Sequence, residues 1–185
     1  MKKTLTVVGL VLAVGSVVLT TPRRGEAQAG GGEALLEFKQ LVGVSGVFLG
    51  PTTPLRDVPG GGAPWIIDEG KVRLKENGEL RVRVRGLVIE PAFGPPFGGT
   101  NPVSQFFATL SCLDPTTGEV NNFDTATVPA TVGGDANIKA LLPLPDTCVA
   151  PVVLIRGDLS SIATNPFTNP VGPDPNDPWF AASGF

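Results

Sequence analysis

Residues 71–85 alternate basic and apolar side chains on both sides of an Asn-Gly pair. This period of two is typical of a half-buried β-hairpin, in which the loop length fixes how the two strands align. A two-residue loop would place Leu74 opposite Arg81 and mix the two faces. A three-residue loop ending in a left-handed glycine places Leu74 opposite Leu80 instead. The pattern therefore predicts a hairpin with one apolar face and one basic face, closed by a three-residue loop.

Six basic residues share the second face of this hairpin: Lys71, Arg73, Lys75, Arg81, Arg83 and Arg85. The same register pairs Arg73 with Arg81 and Lys71 with Arg83, and like charges across a strand pair cost on the order of a few tenths of a kcal/mol. We hypothesise that this face contacts an anionic wall polymer, a polysaccharide or acidic residues of the same protein. The alternative is a solvated face that protects a strand edge and is neutralised by Glu69, Glu76, Glu79 and Glu90.

The rest of the chain favours short strands joined by turns. It contains 24 Gly and 19 Pro, and it has no long apolar stretch with helical period. We therefore expect an all-β fold, an antiparallel β-sandwich in one domain. Further predicted strands cover residues 103–113, 122–131, 137–144 and 152–156. We also predict a bent or bulged first strand pair in residues 33–50, an irregular Pro/Asn-rich segment at 159–178 and a closing strand at 179–185.

The first 29 residues have the pattern of an export signal. Two lysines precede an uncharged apolar run from Thr4 to Leu19, and Ala27-Gln28-Ala29 has the small-x-small pattern of a signal-peptidase site. We expect residues 1–29 to be a signal peptide and residues 30–185 to be the mature domain. An uncleaved anchor is the alternative, but the run is short for a hydrocarbon core of about 30 Å. The expected location is extracellular or in the cell envelope, with no membrane span after cleavage.

Composition excludes several classes of function. The chain has 14 Lys and Arg and 17 Asp and Glu, of which residues 1–29 hold four and one, so 10 basic and 16 acidic residues remain. A protein that binds nucleic acid through general positive charge would have the opposite balance, so no nucleic-acid partner is expected. The absence of histidine excludes Ser-His-Asp and Cys-His catalysis and His-ligated zinc within this chain. A non-catalytic binding or structural protein is the main expectation, and a small carboxylate-dependent, glycosidase-like hydrolase is the alternative.

The two cysteines, Cys112 and Cys148, fit an exported domain with one disulfide. Unlinked thiols are the alternative. The pair lacks the CxxC spacing of a redox site and has no further soft ligands for a metal, so we expect neither a metal site nor a cofactor.

Other polar and aromatic groups have simple structural explanations. Residues 174–177, and Asp135 with Asn137, offer oxygens to calcium, but neither group has the spacing of a known calcium loop, so turn chemistry is expected. Trp65, Phe93 and Phe97 are candidates for a sugar- or peptide-binding surface. Core packing under long loops is the more common role of such aromatic residues.

Five segments of the sequence contain, in order, a succession of turns, a cysteine pair and a final strand. These segments are residues 61–65, 78–88, 101–112, 144–151 and 179–184. This succession is similar to a group of small exported bacterial proteins, chiefly from actinobacteria-like organisms, for which no activity is established. The resemblance covers nearly the whole expected mature chain. It implies export, one domain and a disulfide, and it implies no mechanism.

Overall fold

A computed structural model of the chain describes residues 32–161 and 176–183, whose regular structure is almost entirely β-strand. The predicted signal peptide lies outside this description, as do residues 162–175 of the predicted irregular segment. Within the described residues, the strands in chain order are β1 (Ala34–Phe38), β2 (Val42–Gly43), β3 (Trp65–Ile66), β4 (Glu69–Lys75), β5 (Glu79–Arg85), β6 (Val88–Ile89), β7 (Gln105–Leu113), β8 (Val120–Asp124), β9 (Val128–Pro129), β10 (Ala136–Leu141), β11 (Val149–Gly157) and β12 (Trp179–Ala182). Short 3₁₀ turns are found at Gly46–Phe48, Pro91–Phe93 and Leu159–Ser161.

The strands form two main antiparallel sheets that share one core, so the predicted antiparallel β-sandwich is confirmed. The first sheet has the spatial order β1-β4-β5-β10. The second has the order β2-β12-β11-β7-β8, and β9 also pairs with β7. β3 and β6 form a separate two-stranded ribbon. One cluster of buried residues includes side chains of both main sheets, as a two-layer domain requires.

β4 and β5 form the predicted hairpin in the predicted register. Leu74 lies opposite Leu80, as a three-residue loop requires. Gly78 ends the loop with a φ of 85°, a left-handed conformation that glycine adopts without steric cost. Its N–H donates to the Lys75 carbonyl oxygen at 2.9 Å and closes the turn. Local sequence therefore determines both the turn and the alignment of the strands.

The apolar side of this hairpin forms the centre of the core. Leu74, Leu80 and Val84 are at most 1% exposed, and they belong to one cluster with Phe106 and Leu110 of β7. Each fully buried Leu, Val or Phe side chain contributes about 1.5–3 kcal/mol through the removal of apolar surface from water. Because successive side chains of a strand point to opposite faces, this burial leaves the alternate residues of β4 and β5 on the outer face.

The predicted closing strand is β12, and it lies inside the second sheet between β2 and β11. Trp179 and Phe180 are buried, and the Phe180 ring stacks on Trp65 with centroids 4.0 Å apart. The neighbouring strand approaches closely at Gly157, where a Cβ would lie 2.1 Å from the Phe180 ring. The last strand is therefore an integral part of the core.

The prediction of a strand pair in residues 33–50 was wrong. β1 joins the first sheet beside β4, whereas β2 joins the second sheet beside β12. The chain crosses from one sheet to the other here, and Leu41 and Val44 on either side of β2 are both buried. Gly43 allows the close approach, because a Cβ at this position would lie 2.0 Å from the Trp65 carbonyl oxygen.

The predicted strand at 122–131 is divided into β8 and β9, which both pair with β7. Thr125 lies between them. Its N–H donates to the Ala108 carbonyl oxygen at 2.9 Å, and its Oγ1 accepts the Ala108 N–H at 3.0 Å. A side-chain hydroxyl thus replaces one backbone acceptor, and the ladder is interrupted at this point.

The predicted disulfide is confirmed and joins Cys112 to Cys148. Cys112 lies on β7, and Cys148 directly precedes β11, which is the neighbour of β7 in the second sheet. The bridge closes a chain segment with a sequence separation of 36 residues. By the chain-entropy model, a loop of this size contributes about 4 kcal/mol to stability.

We predict that Gly78→Ala destabilises the domain by about 2 kcal/mol. An alanine Cβ would lie 2.2 Å from the Leu142 carbonyl oxygen, and the residue would retain a left-handed φ. Gly62→Ala is the matched control, because no heavy atom lies within 4 Å of a Cβ at that position. Urea unfolding of both variants measures the difference, and equal midpoints would contradict the role given to Gly78.

Candidate functional site

The six basic residues predicted as a binding site all lie on the outer side of the first sheet. We use the name basic face for the outward polar and charged side chains of its four strands: Glu37, Glu69, Lys71, Arg73, Lys75, Glu79, Arg81, Arg83, Arg85, Asn137 and Lys139. The side chains of Lys71, Arg81 and Arg83 are between 54% and 57% exposed. Arg73 is exposed as well, so four of the six predicted cations are open to solvent.

Two rows of side chains cross the basic face from strand to strand. The first row consists of Glu37, Arg73, Arg81 and Lys139. The second row consists of Lys71, Arg83 and Asn137. Neighbouring strands lie about 4.8 Å apart, which is less than the Debye length of about 8 Å at physiological salt. Each row therefore presents its charges as one group to a ligand.

The register places like charges directly opposite one another. Arg81 has a cation on both sides, Arg73 on β4 and Lys139 on β10. Each such pair destabilises the folded protein by about a few tenths of a kcal/mol. The first pair follows from the sequence of the hairpin, whereas the second depends on which strand lies beside β5.

Glu79 neutralises part of this charge. Its carboxylate accepts a hydrogen bond from Lys75 Nζ at 2.7 Å and pairs with the Arg81 guanidinium. These hydrogen bonds, from Lys75 first and from Arg81 second, hold the pKa of the Glu79 carboxyl below its usual value of 4.5. Lys75 is only 14% exposed, so it serves this pair rather than a ligand.

A second carboxylate makes looser contacts. Glu69 Oε1 lies 3.2 Å from Lys71 Nζ and 3.5 Å from Arg83 Nε, and these are ion pairs without hydrogen-bond geometry. Arg73 and Lys139 differ from these cations, because they form no hydrogen bond or ion pair with any residue that the structure describes. The basic face therefore holds two cations without an internal partner and two that are weakly paired.

Arg85 is used within the fold. Its Nη2 donates to Asn137 Oδ1, and its Nη1 donates to the Ala136 carbonyl oxygen, each at 3.2 Å. These bonds join β5 to β10 at the end of the sheet. Of the six predicted residues, Lys71, Arg73, Arg81 and Arg83 remain the candidates for ligand contact.

A groove of about 270 Å³ lies in the middle of the basic face. Glu37 lines it at the β1 side, and Asn137 and Lys139 line it at the β10 side. Arg73 and Arg81 lie between these margins. The groove is open to solvent, and its lining residues come from all four strands of the sheet.

The sequence interpretation missed three residues of this groove: Glu37, Asn137 and Lys139. A signal was present for two of them, because the alternation of Ile138 and Ala140 places Asn137 and Lys139 on the opposite face of β10. Their proximity to Arg81 depends on the pairing of β10 with β5, which is a contact between distant parts of the chain.

A buried charged cluster on the second sheet was also missed. Arg156 is 2% exposed, and its Nε and Nη2 donate to the Asp177 carbonyl oxygen at 2.9 and 2.6 Å. The guanidinium lies 4.8 Å from the centre of the Phe107 ring and 3.5 Å from Asp124 Oδ1. This cluster joins β11 to Asp177, two residues before β12, which is a structural role.

The side chains considered for calcium accept hydrogen bonds from distant segments of the chain, rather than from their own turns. Asp135 Oδ1 accepts the Gly86 N–H at 3.0 Å, and Asp177 Oδ1 accepts the Leu159 N–H at 3.1 Å. Asp174 lies outside the described residues. In the part of the chain that the structure describes, His, Cys, Asp and Glu side chains do not cluster in a group of three that suits a metal ion.

The aromatic candidates separate into two kinds. Trp65 is 4% exposed and its ring stacks on Phe180 inside the core. Phe93 and Phe97 are 51% and 43% exposed on the loop after β6. Four grooves whose lining lies within the described residues contain neither of them.

Those four grooves also bear on the hydrolase alternative. Each contains one acidic residue: Glu37, Glu76, Asp146 or Glu90. A glycosidase-like mechanism requires two carboxyl groups about 5–10 Å apart across the substrate. The geometry of these grooves gives no support to that mechanism.

No family model, curated protein or solved structure matches this chain. A search of the described residues for a helix of sufficient length and apolar character to cross a membrane found none. The case for a function therefore depends on the geometry of the basic face.

We predict that Glu79→Gln lowers the melting temperature at neutral pH. The pKa of Glu79 is lower in the folded state, so its contribution to stability is full above about pH 4.5 and is lost as the pH falls through the lowered pKa. The difference from the wild-type protein should therefore vanish in acid. Circular dichroism melts over a pH series measure this. Glu76→Gln is the control, because Glu76 has no ion pair among the described residues, and an equal effect of both variants would contradict the prediction.

We predict that Arg156→Ala destabilises the domain by about 3 kcal/mol or more, because it leaves buried oxygens without their donor. The control is Arg73→Ala, which removes an exposed arginine and should change stability by about 0.5 kcal/mol at most. Urea unfolding gives both values. Similar midpoints for the two variants would show that the buried cluster does not anchor β12.

Proposed function

We propose that this protein is a secreted or envelope-associated, non-catalytic binding protein that contacts an anionic surface polymer or polysaccharide through the basic face. The observation that carries the proposal is the row formed by Arg73, Arg81 and Lys139. These cations lie on adjacent strands, and Arg81 alone of the three has a carboxylate partner among the residues that the structure describes. A bound polyanion would be attracted by all three cations and would offset the repulsion between them.

The distribution of charge over the molecule supports this function. The expected mature chain is acidic, with 16 Asp and Glu against 10 Lys and Arg, yet seven of these cations belong to the basic face. Arg56 and Arg156 are used elsewhere, in bonds to the carbonyl oxygens of Ala150 and Asp177. An acidic protein with one positive surface orients a polyanion toward that surface before contact.

The alternative, a face neutralised by four glutamates, accounts for fewer of the observed contacts. Glu69 and Glu79 do pair with cations, as that alternative requires. Glu76 and Glu90, however, form no ion pair with any described residue. Three carboxylates, those of Glu37, Glu69 and Glu79, therefore share the described face with seven cations.

Secretion is supported by two independent features. Residues 1–29 have the charge and apolar pattern of a signal peptide with a small-x-small cleavage site. The Cys112–Cys148 disulfide is typical of proteins from oxidising compartments. Both features agree with a partner at the cell surface.

We predict that the double variant Arg73→Gln/Lys139→Gln binds a soluble acidic polysaccharide about tenfold or more weakly at low salt, while its unfolding midpoint stays equal or rises slightly. Binding weakens because two charge contacts are lost, and stability does not fall because like-charge repulsion is relieved. Isothermal titration calorimetry at several salt concentrations, together with urea unfolding, provides the two measurements.

Arg56→Gln/Lys39→Gln is the control, because it removes the same charge from positions outside the two rows. It should change the affinity by about twofold at most, which is the loss expected from net charge alone. Equal losses for the two double variants, or binding that does not respond to salt, would contradict a specific basic face.

A further inference from the structure

The first row of the basic face consists of three cations and, at its β1 end, a carboxylate, which binding of a simple polyanion does not explain. Glu37 lies directly opposite Arg73 in the register of β1 and β4. The two side chains nevertheless form no ion pair, and Glu37 has no hydrogen bond or ion pair with any residue that the structure describes. Glu37 also lines the groove of the basic face. A site for a simple polyanion would be weakened by this negative charge.

The opposite side of the groove has a neutral polar group. Asn137 lines the groove at β10, and its Oδ1 accepts a hydrogen bond from Arg85 Nη2. That bond holds the oxygen and leaves the two Nδ2 hydrogens to donate to a ligand. The groove therefore combines cations with an acceptor at one side and a donor at the other.

These groups define the chemistry of a suitable ligand. The cations bind acidic groups, the carboxylate of Glu37 accepts hydrogen bonds from hydroxyl groups, and the amide of Asn137 donates to hydroxyl oxygens. The row from Glu37 to Lys139 spans three steps between strands, or about 14 Å. This length exceeds one monosaccharide and suits a short stretch of an extended polymer.

Resting on the proposed function, we infer that the basic face selects an acidic polysaccharide, a polymer with both charged and hydroxyl groups, over polyanions that lack hydroxyl groups. Glu37 acts as the discriminating residue. It accepts a hydroxyl hydrogen bond from the polysaccharide, and it repels a polymer whose only polar groups are anionic. Asn137 contributes a second hydroxyl contact without a charge.

The test compares two polycarboxylates of matched chain length and charge content, polygalacturonate with hydroxyl groups and polyacrylate without them. Binding of the mature protein with its disulfide intact is measured by titration calorimetry at low and high salt. Glu37→Ala is the test variant, and Glu119→Gln is the control because it removes one negative charge from a turn beside the second sheet.

We expect Glu37→Ala to bind polygalacturonate about fivefold to tenfold more weakly, through loss of the hydroxyl contact, and to bind polyacrylate more tightly, through loss of repulsion. Glu119→Gln should shift both affinities slightly and in the same direction. Stronger binding of both polymers by Glu37→Ala would overturn the inference but leave the proposed function intact. The absence of salt-sensitive binding to either polymer by the wild-type protein would overturn the proposed function itself.

Discussion

Burial of the apolar side of the β4–β5 hairpin is the constraint on which the basic face depends. Side chains in a strand alternate with a period of two, so Leu74 and Val82 cannot enter the core unless Arg73 and Arg81 face outward. A slip of one residue would bury several cations, each at a cost of several kcal/mol. The three-residue loop ending in Gly78 opposes that slip through its closing hydrogen bond. The hydrophobic energy that folds the first sheet therefore also presents its charges.

The two main sheets use their outer sides differently. On the second sheet, Phe107, Thr109 and Ser111 are buried on the side that faces away from the shared core. Arg156 lies on this side as well, and its guanidinium is held by Phe107 and the Asp177 carbonyl oxygen. The charge on that side serves to anchor the last strand. On the outer side of the first sheet, Arg85 bonds to β10 and Lys75 pairs with Glu79, but the other cations stay exposed.

Local patterns determined what could be predicted from the sequence. The hairpin register follows from adjacent residues and one glycine, and so does the position of the six hairpin cations on one face. The groove required more, because Glu37 and Lys139 reach it through pairings between segments distant in the chain. The division of residues 33–50 between two sheets has the same origin, since alternation reveals a strand but not its neighbour. Arg156 gave no signal, because a single cation in an apolar run has no period.

The exposure of the basic face sets the kind of binding that it supports. A single ion pair between exposed groups contributes about 0–1 kcal/mol, so no one residue of this face can hold a ligand firmly. A polymer that contacts Arg73, Arg81 and Lys139 together adds these small terms. The binding that we propose is therefore reversible, salt-dependent and tolerant of local sequence in the ligand. In the proposed function, selection comes from groups such as Glu37 that penalise the wrong polymer, because the cations attract every polyanion.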